Sequence, residues 1–198
     1  MNQSVSPTLI DTFWHGENKI ARNIILAVTG SILLWASAKI QIPFYPVPMT
    51  MQTFVVLAVG MAFGWRLGAA TVLLYLAEGA AGLPVFAGTP EKGLGIAYMA
   101  GPTGGYLLGF VMAAAIVGWL AERGYDRDVF RTGVAMLVGN AVIYVPGLIW
   151  LATVVGWDKP IYQWGMAPFL LGDLVKLVLA AILMPMLWKL ASPHSQEK

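Results

Sequence analysis

The stretch MAPFLLGDLVKLVLAAILMPMLW, residues 166–188, is long and apolar enough to cross a bilayer as a helix. Near its start it carries Asp173 and Lys176, one helical turn apart on the same face. Ionisable groups are costly in hydrocarbon, face the bundle interior, and often mark a substrate or ion path. The alternative is a structural pair, since i,i+3 neighbours on a helix touch. A silent buried pair has no evident stability advantage over apolar packing, which favours a functional reading.

The rest of the chain agrees with a membrane setting. Of 198 residues, 58% are hydrophobic and 11% charged, and mean hydropathy is +0.71. A soluble domain carries about 25% charged residues, so this composition is that of an integral membrane protein. The net charge of +2 implies no polyanionic partner, and so no nucleic acid. The absence of cysteine excludes disulfides and thiol chemistry. The polar start, MNQSVSPTLIDTFWHGENK, lacks the basic and apolar regions of a signal peptide and reads as a short cytoplasmic tail.

Six apolar segments are expected to span the membrane, at 22–40, 49–63, 67–82, 102–120, 129–155 and 166–190. The fold class is therefore an all-α integral membrane protein, a bundle of six transmembrane helices. It forms one membrane domain: a bundle over 21–190 between tails at 1–20 and 191–198. The fifth segment is long for one span, and Pro146 is expected to bend its end. Three prolines make QIPFYPVPMT (41–50) an ordered, irregular loop, and the Gly/Pro-rich segment 82–105 is a second long loop. Eight Lys and Arg fall on the side of the two termini, and only Lys39, Lys92 and Lys159 on the other. The positive-inside rule then puts both termini in the cytoplasm and the Pro/Gly-rich loops outside.

At about 1.5 Å per residue, Asp173 lies roughly 10 Å below the outer surface and Lys176 one turn deeper. Asn140 falls near mid-membrane with Tyr144 one turn above it, and Glu78 near the outer end of the third span. The polar groups thus gather in the outer half. Glu78 reads equally as a solvated acid, and Asn140 as a helix–helix hydrogen bond. A second site is expected at AGPTGGYLLGFVMAAA (100–115), where Pro102 opens a helix and Gly104 and Gly105 let an anionic group approach its N-terminus. The competing reading is packing, because Gly101, Gly105, Gly109 and Ala113 form a small-residue stripe. Gly60, Gly64 and Gly68 form another. Ala27 and Ser31 make a third, able to pack a helix or to receive a partner subunit.

No HExxH, GxSxG or Walker-type motif occurs, and both histidines, His15 and His194, lie in the tails. No nucleophile–base pair is visible, so the chain reads as a binding protein and not an enzyme. No cofactor or metal site is expected.

The stretches from PVPMTMQTF to GLPVFAG (46–88), AYMAGPTGGYLLGF (97–110) and GDLVK (172–176) resemble the BioY family. These are the biotin-binding S components of energy-coupling factor (ECF) vitamin transporters. The resemblance covers about residues 40–190 and is carried by three motifs in fixed order. It implies biotin as the ligand, captured from outside under the loops at 41–50 and 82–105. It implies uptake across the bacterial cytoplasmic membrane with a transmembrane T component and two ABC-type ATPases. The resemblance puts Asp173 and Lys176 at the biotin site, with the stretch from Gly101 to Tyr106, including Gly104 and Gly105, at its border, and Tyr98 is expected among the ligand-binding residues. It makes Glu78 a weaker site residue and Ala27–Ser31 a looser form of the helix-one docking pattern. The alternative function is a self-sufficient, ion-coupled vitamin carrier.

Overall fold

The computed structural model describes residues 6–14 and 18–191. His15, His194, the start of the N-terminal tail and the C-terminal tail from 192 onward lie outside the described residues.

The expected N-terminal tail is not merely a tail. Residues Leu9–Phe13 form a short helix, α1, opened by a capping box between Thr8 and Asp11. Asp11 also pairs with Arg22 at 3.0 Å, which ties α1 to the first long helix. Leu9 is buried, so this turn closes one end of the bundle.

The long helices follow. Helix α2 runs Lys19–Lys39, with Asn18 accepting the Ala21 N–H at its start. The loop expected at 41–50 is instead a short hairpin, with β1 (Gln41–Ile42) antiparallel to β2 (Met49–Thr50). Its prolines fall between the strands, where no ladder bond is lost. Helix α3 spans Gln52–Ala80, but its backbone leaves helical geometry at Gly64, at φ 78° and ψ 175°. A side chain there would be strained. The chain doubles back at that point: a Cβ on Gly68 would sit 2.9 Å from the Cα of Gly60. In a straight helix those residues would be about 12 Å apart. The Gln52 amide likewise reaches the Tyr75 hydroxyl, 2.7 Å away across the two arms.

After a turn-rich segment come α4 (Gly95–Met99), α5 (Gly104–Ala121), α6 (Val129–Val155), α7 (Ile161–Gly165) and α8 (Leu170–Ala191). A 3-10 turn over Ala167–Phe169 leads into α8. Helix α6 matches the expected limits because Asp128 caps its first turn and Gly156, at φ 106°, ends it. It runs through Pro146 as one helix. Among the described residues, five helices are long and apolar enough to cross a membrane, counting α3 once.

Small residues set the packing, as expected where lipid removes the usual hydrophobic drive between helices. Helix α5 lies between α3 and α6. A Cβ on Gly60 would come within 2.9 Å of the Ala114 Cα, and one on Gly109 within 2.9 Å of the Ile143 Cα. The stripes therefore face neighbouring helices of this same chain. Ser31 is 1% exposed and donates to Glu78 across the α2–α3 contact, while Ala27 is half-buried. Ser31 is thus unavailable to a partner subunit in this structure. Of the two readings open for this pair, Ser31 takes the packing one.

Candidate functional site

A cavity of about 610 Å³, its open mouth included, lies at the end of the bundle carrying the hairpin. Its roof comes from Val47 to Thr50 of the hairpin and from Ala87 and Tyr98 of the segment before α5. Tyr106, Leu107 and Phe110 of α5, Ile143 of α6 and Phe169 make apolar and aromatic walls. The polar groups that line it are few and convergent: Gln52, Thr53, Thr103, Asn140, Tyr144, Asp173 and Lys176.

Asp173 stands in the first turn of α8, where the positive end of the helix dipole favours a carboxylate. Its Oδ2 accepts a hydrogen bond from the Tyr144 hydroxyl. Its Oδ1 accepts from Lys176 Nζ at 3.2 Å, the i,i+3 pair read from the sequence. Lys176 Nζ also donates to Thr53 Oγ1 at 2.9 Å, which bridges α8 to the first turn of α3. Both charged groups are buried, at 7% and 8% exposure. Two of the three ammonium protons are used, which leaves one for a ligand. Thr53 Oγ1 donates to the same Asp173 Oδ1 at 3.5 Å, so the lone pair that stays free on the carboxylate is on Oδ2. The Asn140 side chain makes no hydrogen bond among the described residues although the residue is 8% exposed. Its amide faces the cavity with donor and acceptor both free. The site therefore offers a carboxylate acceptor on Asp173 Oδ2, an ammonium donor and an amide that can both accept and donate, around one open cavity. That set matches a cyclic urea, with two N–H donors and one carbonyl.

The aromatic side chains are fixed from behind. Tyr106 donates to Gly165 O at 2.8 Å and meets Tyr144 edge-on, 6.4 Å between centroids. Tyr98 donates to Ala87 O at 2.8 Å. Burial pushes the Tyr98 phenol above its ordinary pKa, so it serves as a donor. Gln52, 3% exposed, donates to Tyr75, and Tyr75 in turn to Val85 O.

Of the residues expected at the site, Asp173, Lys176, Asn140, Tyr144 and Tyr98 line this cavity together. Glu78, Gly104 and Gly105 do not. Glu78 accepts from Ser31 of α2 instead. The missing side chains of Gly104 and Gly105 make room for Met99, Pro146 and Trp150, so these glycines pack helices and do not admit a ligand. Two of the N–H groups there are also spent within the turn: Gly104 N–H bonds Gly101 O and Tyr106 N–H bonds Thr103 O, each at 3.0 Å. Thr53, Gln52, Thr103 and Phe169 were missed by sequence reasoning. The only local signal was a polar pair, Gln52 and Thr53, at the head of an apolar helix.

A sequence model of the BioY family matches residues 2–193. The biotin transporter BioY of Thermotoga maritima is 38% identical over 170 residues, covering 85% of this chain and 97% of that protein. A probable biotin transporter BioY of Pyrococcus horikoshii is 38% identical over 163 residues, covering 82% and 94%. In fold the chain is similar to a crystal structure of the S-component for biotin from an ECF-type ABC transporter, with TM-score 0.73 at 23% identity, covering 88% of this chain and 94% of that one. Matched over nearly its whole length, this multi-pass membrane protein belongs to the BioY family.

Proposed function

We propose that the chain captures biotin from outside the cell as the substrate-binding subunit of an ECF-type importer. The observation that carries this is the group of Asp173, Lys176, Tyr144 and Asn140 around one cavity, with free valences that fit a ureido ring. The aromatic and aliphatic walls suit the thiophane ring and its alkyl chain. Membership of a family whose named members are biotin transporters supports the same ligand. The reading makes the two arms of α3, residues 52–63 and 65–80, separate spans, and so gives six. The hairpin turn at Gly64 supports that count. It places both termini in the cytoplasm of a bacterial cell and the protein in the inner membrane, on the charge asymmetry of the loops. Residues 1–198 act as one membrane domain. Movement of the ligand is driven by a T component and two ABC-type ATPases, since the chain carries no nucleotide-binding motif of its own.

Equilibrium binding of labelled biotin to the purified protein tests the reading, beside Asp173→Asn and Lys176→Ala. Losing a charge-assisted hydrogen bond in a desolvated site weakens binding by about 10- to 100-fold, and each variant is expected to show that loss. Undiminished affinity in both returns the pair to a structural role. Absence of binding by the folded wild type removes biotin as the ligand.

A further inference from the structure

Lys39 ends α2, and the roof hairpin begins two residues later. Its ammonium does not point into water, as a lysine at a helix end ordinarily does. It crosses to the other roof segment. Nζ donates to Phe86 O at 3.0 Å, to Thr89 O at 3.2 Å and to Thr89 Oγ1 at 3.1 Å. An ammonium has three protons, so its donor capacity is spent on this one turn of chain.

The turn it grips is held from its other side too. Tyr75 donates to Val85 O at 2.9 Å and Tyr98 to Ala87 O at 2.8 Å. The carbonyls of residues 85, 86, 87 and 89 are thus each held by a side chain from elsewhere. Phe86, 1% exposed, is wedged among them. It stacks on Tyr98 at 4.9 Å, meets Tyr75 edge-on at 5.5 Å, and occupies the space left by the missing side chain of Gly79. This anchoring sets Ala87 against the cavity. Tyr75 and Tyr98 fasten the turn to α3 and α4. Of the three donors, Lys39 is the one that joins it to the root of the hairpin, whose residues Val47 to Thr50 form the rest of the roof.

We infer that Lys39 is a positioning residue that latches the two roof segments to each other and thereby sets the rate at which ligand leaves. The inference rests on the proposed function, since the roof is that of the biotin site. A bound ligand escapes only when the segments part, and parting them moves the ammonium from three oxygens into water. Changes of this kind act chiefly on dissociation.

The test is a chase of labelled biotin from the purified full-length protein, comparing wild type with Lys39→Met and Lys39→Arg. Methionine keeps the unbranched stem and removes the donors, and dissociation is expected to quicken by about tenfold. Arginine keeps charge and donors, and should stay near wild type. In the ligand-free protein, amide exchange across 85–89 should rise in Lys39→Met and not in Lys39→Arg. Unchanged dissociation in Lys39→Met overturns the inference, even where the thermal midpoint falls, because Lys39 would then serve stability alone. An arginine variant as fast as the methionine variant overturns it as well. If the wild type binds no biotin, the functional reading fails on its own and the exchange measurement decides the latch: no difference across 85–89 sinks it.

Discussion

At the end of the bundle that carries the hairpin, Asp173, Lys176 and Asn140 meet around an open volume. At the opposite end, Asp11, Glu122 and Asp126 meet backbone ends and each other's neighbours. Asp11 accepts from Thr8 and Arg22 and so closes α1 onto α2. Glu122 Oε1 accepts the Trp65 N–H at 3.1 Å, the first N–H after the break at Gly64, and its carbonyl accepts the Ser6 N–H at 2.9 Å. Asp126, fully buried, accepts from the Trp188 indole at 2.6 Å, while Arg127 lies over that indole at 4.5 Å. The same residue types serve both ends. What differs is where their spare valences point. Apart from Asp126 Oδ1, the polar groups that stitch chain ends find their partners within the protein, whereas those at the cavity keep lone pairs and protons for something else. An acid in a membrane protein is therefore not a site by virtue of its depth or charge alone.

The difference can be broken by removing one polar group from each end. The largest effect is expected from Asn140→Leu. Asn140 has no hydrogen-bond partner among the described residues, so the apolar and nearly isosteric replacement should leave the thermal midpoint unchanged or higher. Biotin affinity should fall by about 10- to 100-fold, because a buried ligand group loses its partner. A fall in midpoint with intact affinity would make Asn140 a packing residue and erase the contrast. Glu122→Ala is the mirror experiment. It removes the acceptor at the start of the second arm of α3 and should cost about 1 kcal/mol of stability, with biotin affinity retained. Chemical denaturation read beside equilibrium binding checks both.

How far these roles could be read beforehand depended on how local their causes are. The bounds of α6 were legible because both end signals, Asp128 and Gly156, sit within the segment they limit. The pair Asp173 and Lys176 was legible because helical periodicity alone puts them on one face. Glu78 read as a site acid because nothing nearby reveals Ser31, 47 residues away, as its partner. Lys39 read as an outward surface charge for the same reason, since its acceptors lie 47 and 50 residues further on. Gly104 and Gly105 look alike in sequence whether the space they leave admits a ligand or a tryptophan. The hairpin at 41–50 has strands of two residues, too short for any alternation to show.

The smallest expected effect sharpens the contrast from within the stitched end. Burial raises the pKa of Asp126 above its ordinary 3.8, and the Trp188 hydrogen bond and the Arg127 charge only partly oppose this. The folded chain then holds a proton on Asp126 to higher pH than the unfolded chain does. Between 3.8 and the raised value the native state binds more protons, so stability falls as pH rises through that window. Asp11 has the opposite sign. Its partial burial acts to raise the pKa, but hydrogen bonds from Thr8 and the Arg22 guanidinium outweigh that and leave it below 3.8. Its contribution is present above 3.8 and lost as pH falls through the lowered value. The two acids therefore act in separate windows. Asp126→Asn fixes the neutral form and keeps an acceptor for Trp188, whereas Oδ1 of the native carboxylate has no partner. The variant should match wild type in acid, where Asp126 is already protonated, and exceed it by about 1 kcal/mol or less near neutral pH. Unfolding free energies of the two proteins across that range give the difference directly. A gap that stays constant with pH would mean that the Asp126 carboxyl titrates alike in the folded and unfolded chains, so that burial does not raise its pKa.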